Sequence, residues 1–113
     1  MTVICETNKR GVIVLTPTDE RLTGEVIQQM RAMINCNDVE HVIIDFTAIR
    51  CLMGGSTVSP LVRLNQELRQ ESRQLVCCNL SHEIAEVFRI SNLIKIFEVR
   101  SNVEVALAKI REK

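Results

Sequence analysis

The sequence predicts a single α/β domain over residues 1–113, with a mixed, mostly parallel sheet of four to five strands and about four helices. Three observations predict it. The runs HVIIDF (41–46) and QLVCCN (74–79) are of strand length and lack polar alternation, as suits strands covered on both faces. The stretches around them repeat apolar residues at helical spacing. Strands separated by helices imply right-handed crossovers and parallel neighbours.

The elements follow in order. Thr2 to Cys5 and Val12 to Leu15 are short β-branched runs flanking Asn8-Lys9-Arg10-Gly11, which reads as a tight turn. The first of these strands is expected to be an antiparallel edge. From Thr23, Val26, Ile27, Met30, Met33 and Ile34 form one apolar stripe of a helix. HVIIDF is the central strand. Val58, Leu61, Leu64 and Leu68 mark a second helix, and QLVCCN the next strand. Ser81 can cap a third helix carrying Ile84, Val87 and Phe88. A last strand is expected within Ile94 to Val99. Ser101 to Glu104 reads as a capping box opening a helix with Val103, Ala106, Leu107 and Ile110 on one face. No linker, low-complexity tract or internal repeat interrupts the chain.

Composition narrows the function. Hydrophobic residues make up 46% of the chain, enough for a real core. Fourteen basic and fourteen acidic residues cancel, so no global charge draws the molecule to nucleic acid or an anionic membrane. Three Phe and no Trp or Tyr leave no base-stacking platform. No apolar run approaches a membrane span, and MTVICETNKRG lacks the apolar core of a signal peptide. A cytoplasmic location is expected. The five cysteines form no C-x-x-C and read as small buried hydrophobes; Cys77 and Cys78, adjacent in a strand, point to opposite faces. His41 and His82 have no ligand spacing with them. Neither metal nor cofactor is expected.

The stretch CLMGGSTVSP (51–60) joins the central strand to the second helix. Ligands and partners of such folds gather beyond the carboxyl ends of the strands. A helix N-terminus with glycines can cradle a phosphate, but G-x-x-x-x-G-K-[ST] and G-x-G-x-x-G are both absent. The alternative is a turn with hydroxyl caps. The helix can start at Ser59-Pro60, leaving GGSTV extended, or near Ser56, placing Pro60 inside the helix. Asp45, at the strand end, is expected to accept hydrogen bonds from loop N–H groups. Arg63, Gln66, Glu67, Arg69, Gln70, Glu71 and Arg73 read as a solvated face. No acid–base pair or triad suggests an enzyme.

The ordered set from His41 to Ile110 resembles the STAS domain family of anti-sigma factor antagonists and their relatives. Val42-Ile43-Ile44-Asp45 resembles the family's strand ending in Asp. Arg89 to Phe97 resembles the segment after its third helix, and Ser101 to Leu107 its last helix. Met53-Gly54-Gly55-Ser56 stands where the family carries Asp-Ser-Ser-Gly, so Gly55 occupies the phosphoacceptor position. Thr23 is the nearest match to a second family Asp. The resemblance implies a non-enzymatic regulatory module that binds a protein partner, an anti-sigma factor or serine kinase-like ATPase, and so controls transcription. The implied partner-binding loop is Met53, Gly54, Gly55, Ser56 and Thr57, with Ser56 and then Thr57 as phosphoacceptor candidates. A non-phosphorylatable scaffold within a larger signalling assembly is the alternative. Self-association is left open.

Overall fold

The computed structural model describes residues 3–7, 11–37, 39–52 and 55–111; the side chains at 37, 55–57 and 111 fall outside that description. The elements are β1 (Val3–Thr7), β2 (Val12–Pro17), β3 (Arg21–Leu22), α1 (Gly24–Asn37), β4 (His41–Asp45), β5 (Cys51–Leu52), α2 (Gly55–Gln70), β6 (Leu75–Cys78), α3 (His82–Ile90), a 3₁₀ turn (Leu93–Lys95), β7 (Glu98–Arg100) and α4 (Val103–Arg111). The main sheet has the order β1-β2-β4-β6-β7. Only β1 is antiparallel, paired with β2; β2-β4, β4-β6 and β6-β7 are parallel. This is the mixed, mostly parallel sheet that the sequence predicts, with the first strand at an edge.

Pleating sorts the core into two layers. On one face Ile13, Leu15, Val42, Ile44, Leu75 and Cys77 pack under α1, α2 and α3 through Ile27, Met30, Leu61, Leu64, Leu68, Ile84 and Phe88. On the other, Val12, Ile43, Val76 and Cys78 meet Ala106 and Ile110 of α4. The central strand β4 is therefore covered on both sides, which is why HVIID shows no alternation. Three rings anchor the larger layer: Phe88 stands edge-on to Phe46 at 5.9 Å and tilted against Phe97 at 5.7 Å.

Three local expectations are corrected. The last strand lies only at the end of its expected window and runs one residue past it: Leu93 is buried and anchors a 3₁₀ turn, and strand pairing begins at Glu98, opposite Val76. The last helix is capped by Asn102 rather than Ser101, because Asn102 Oδ1 accepts from the Val105 N–H at 2.9 Å. The Ser101 carbonyl instead accepts from the Asn79 N–H at 3.3 Å. The cysteines divide: Cys77 and Cys78 are buried on opposite faces of β6 as expected, whereas Cys36 and Cys51 are exposed. Ser81 does cap α3, accepting from the Ile84 N–H at 3.2 Å.

The two buried thiols set an alkaline limit. Burial, and then the neighbouring Cys78, push the Cys77 thiol far up; burial, and then the Asp45 carboxylate, push Cys78 up to about 12. Unfolding lets both ionise near the ordinary thiol value. Their folded values lie above their unfolded ones, so their stabilising contribution is complete below about pH 8.5 and is lost as pH rises through the folded values. Each adds a slope of about 1.4 kcal/mol per pH unit at most. The chain has no Tyr to titrate in that range. Urea melts from pH 8 to 10.5 should show falling stability, and Cys78→Ala should flatten the fall.

Candidate functional site

Parallel connectivity sends the ends of β2, β4 and β6 to one edge of the sheet. There the chain builds a second, two-stranded ladder. β3 pairs with β5 in parallel, Arg21 opposite Cys51 and Leu22 opposite Leu52. The N–H groups of Arg50 (2.7 Å) and Cys51 (3.1 Å) both donate to the Glu20 carbonyl. Leu22 is fully buried and pins this ladder to the core. Thr23 then caps α1, its Oγ1 accepting from the Val26 N–H at 3.3 Å. The segments 18–23 and 50–52 are thus locked side by side at the entrance to α2.

α2 opens at Gly55, which resolves the two starts allowed by the sequence in favour of the earlier one. Pro60 lies inside the helix. It has no N–H, so the bond from position 60 back to the Ser56 carbonyl is missing from the first turns. Packing of Leu61, Leu64 and Leu68 holds the helix despite that loss. Gly55, Ser56 and Thr57 are its first three residues, so this sequence places no hydroxyl at the helix's opening position. Met53 and Gly54, the start of the predicted loop, lie outside the described residues, as do the side chains at 55–57.

Asp45 organises the edge as expected, and more fully. Its Oδ1 accepts from the Thr47 N–H (3.0 Å), the Thr47 hydroxyl and the Asn79 side-chain amide (3.0 Å). Asn79 is held at φ 57°, a conformation that Asn tolerates better than most residues. The carboxylate joins the exit of β4 to the exit of β6. It also faces a small groove of about 250 Å³ shared with Glu6, Thr7, Val14, Thr16, Val103 and Leu107, on the α4 side of the sheet. Asp45 is therefore a positioning residue for the edge rather than a group aimed at α2's N-terminus.

The β3–β5 ladder escaped the sequence reading. Its one signal is a lone Leu22 within the polar stretch TDERLT, too short for any periodicity. Among the described residues no group of three His, Cys, Asp or Glu side chains could hold a metal ion. No helix there is long and apolar enough to cross a membrane.

The fold matches solved structures along nearly its whole length. A protein from Thermotoga maritima superposes with a TM-score of 0.82 at 12% identity, covering 96% of this chain and 94% of that one. The unphosphorylated form of SpoIIAA, a Bacillus cell fate determinant and anti-sigma factor antagonist, gives 0.76 at 21% identity, covering 98% and 97%. A STAS domain protein from Planctomyces limnophilus gives 0.75 at 19%, covering 96% and 98%. No curated protein matches the chain by sequence. The family model of the STAS domain matches residues 6–106, and on that match, with the sheet order and helix placement above, the chain belongs to the STAS domain family.

Proposed function

We propose that this protein is a non-enzymatic regulatory module that docks a protein partner with the edge formed by segments 18–23 and 50–57. The partner class is an anti-sigma factor of the serine kinase-like ATPase type, and docking controls transcription by raising the free sigma population. The observation that carries this reading is the opening of α2 at Gly55 on the carboxyl edge of the sheet, beside a ladder that braces it. Support comes from the family and from SpoIIAA, an anti-sigma factor antagonist solved in unphosphorylated and phosphorylated forms. The partner is displaced from sigma only through its differential affinity for the two states. Among the described residues of this edge no acid–base pair suggests a reaction.

A specific feature favours a second reading, a constitutive binder. The residue at the family's acceptor position is Gly55, which has no hydroxyl. Ser56, the second residue of α2, is the next candidate acceptor, and Thr57 the third. A phosphate on Ser56 is tolerated by the helix end, whose partial positive charge stabilises it, but adds about −1.5 to −2 charges to the docking surface.

The two readings separate in one experiment. The protein is incubated with a serine kinase-like anti-sigma factor from the same genome and ATP, and modified sites are mapped by mass spectrometry. The switch reading expects phosphate on Ser56 or Thr57, and Ser56→Asp binding the partner at least tenfold more weakly than Ser56→Ala. The constitutive reading expects no phosphate on the natural sequence and a new acceptor in Gly55→Ser. Absence of binding in every form refutes both.

A further inference from the structure

The opposite edge of the sheet carries a cleft that the docking role leaves unused. It has a volume of about 510 Å³ and is lined by Arg69, Ser72, Arg73, Gln74, Leu75, Glu98 and Lys109. Leu75 and Glu98 are the first residues of β6 and β7, so the cleft lies at the amino ends of the parallel strands. α2 separates it from Gly55 by 16 residues, roughly 24 Å of helix.

Its chemistry is lopsided in a chain whose net charge is zero. Three cations converge from three places: Arg69 from the last turn of α2, Arg73 from the turn before β6, and Lys109 from α4. The single carboxylate among them, Glu98, is already held by Arg100 at 2.8 Å. Lys109 makes no ion pair among the described residues. Among the described residues Arg73 pairs only with the exposed Glu71, at 3.3 Å, a pair of small worth that a ligand can displace. Arg69 spends one N–H on the Ile96 carbonyl at 3.0 Å and keeps others free. The carboxyl ends of α2 and α4 offset part of this charge, at about half a unit each, and cannot neutralise three full cations.

The backbone holds these cations in place. The turn that presents Arg73 is fixed: Ser72 sits at φ 61°, and the Arg73 N–H donates to the Leu68 carbonyl at 2.8 Å.

We propose that this cleft binds a small phosphorylated molecule. Arg69, Arg73 and Lys109 hold the phosphoryl oxygens. Because Arg69 also straps the 3₁₀ turn to α2, an occupied cleft stiffens the link between that turn and the helix whose other end forms the docking edge.

The test is an amide-shift titration of the intact protein with inorganic phosphate, ribose 5-phosphate and free ribose, at constant ionic strength. Saturable shifts centred on 69–75, 93–98 and 109 are expected for both phosphates, with ribose silent. Lys109→Gln and Arg73→Gln should each weaken binding roughly tenfold at unchanged melting temperature, while Arg63→Gln, on the exposed face of α2, should leave it unchanged. Shifts that do not saturate, shifts equal for ribose, or equal losses in Arg63→Gln would overturn the site. Because the readout is independent of any protein partner, such a failure leaves the docking role standing, and a loss of docking leaves this site standing.

Discussion

Phe88→Ala is expected to lose about 3–5 kcal/mol of stability, the largest effect of any single substitution considered. Phe88 is fully buried and is the one ring in contact with both Phe46 and Phe97. Phe46 leaves the end of β4, Phe97 precedes β7, and Phe88 lies on α3. The deletion therefore empties the joint between the exit of β4, a crossover helix and the last strand. The surrounding elements are tied by sheet pairing and cannot collapse into the space. A domain of this size has about 5–15 kcal/mol in hand, so the variant should be marginal or unfolded at 37 °C. Urea melts check it. A loss below about 1.5 kcal/mol would mean that the three rings are not packed as described. Phe88→Leu should recover much of the loss.

The second large effect is expected for Asp45→Ala. Three donors converge on one oxygen, and removing it strands the part-buried Asn79 amide, while the exposed Thr47 groups turn to water. We expect a loss of about 2–3 kcal/mol, since hydrogen bonds to a charged acceptor are worth more than neutral ones. Asp45→Asn keeps an acceptor oxygen and should lose about half as much. The change should also loosen the exits of β4 and β6, read as faster hydrogen exchange at Phe46, whose N–H donates to the Cys78 carbonyl at 2.9 Å, and at Asn79. Normal stability in Asp45→Ala would reduce the carboxylate to a surface group.

These two residues show how the fold was legible. HVIIDF announced a doubly covered strand because every residue from Val42 to Ile44 is buried and none needs a polar neighbour. The helices were legible for the same reason: Val26, Ile27, Met30 and Ile34, or Leu61, Leu64 and Leu68, must share one face. What failed to show was short and held by distant partners. The β3–β5 ladder has two residues in each strand, and its register comes from Leu22 reaching the core and from Glu20 accepting two N–H groups, neither of which leaves a period in the sequence. The capping box at Ser101 was a reasonable local reading, overridden when the Ser101 carbonyl was taken by Asn79 across the sheet edge. The start of α2 was ambiguous because Pro60 argues locally for Ser59 as the cap, while burial of the leucines that follow compensates for a proline inside the helix.

A glycine at position 55 is compatible with the fold. Gly55 is the first residue of α2, where the N–H groups have no intrahelical partner and any residue of helical φ is accommodated. Its effect falls on the surface chemistry, where a hydroxyl is absent, and leaves the edge itself in place.

The most direct measurement of the central claim is a hydrogen-exchange footprint of the protein with and without a serine kinase-like anti-sigma factor from the same genome. Bound partner should slow exchange in 18–23 and 50–60, the two segments joined by the β3–β5 ladder, and leave 69–75 and α4 unchanged. Protection confined to the α4 face or to the basic cleft, or no protection at partner concentrations that saturate binding, would contradict the claim that this edge is the docking surface.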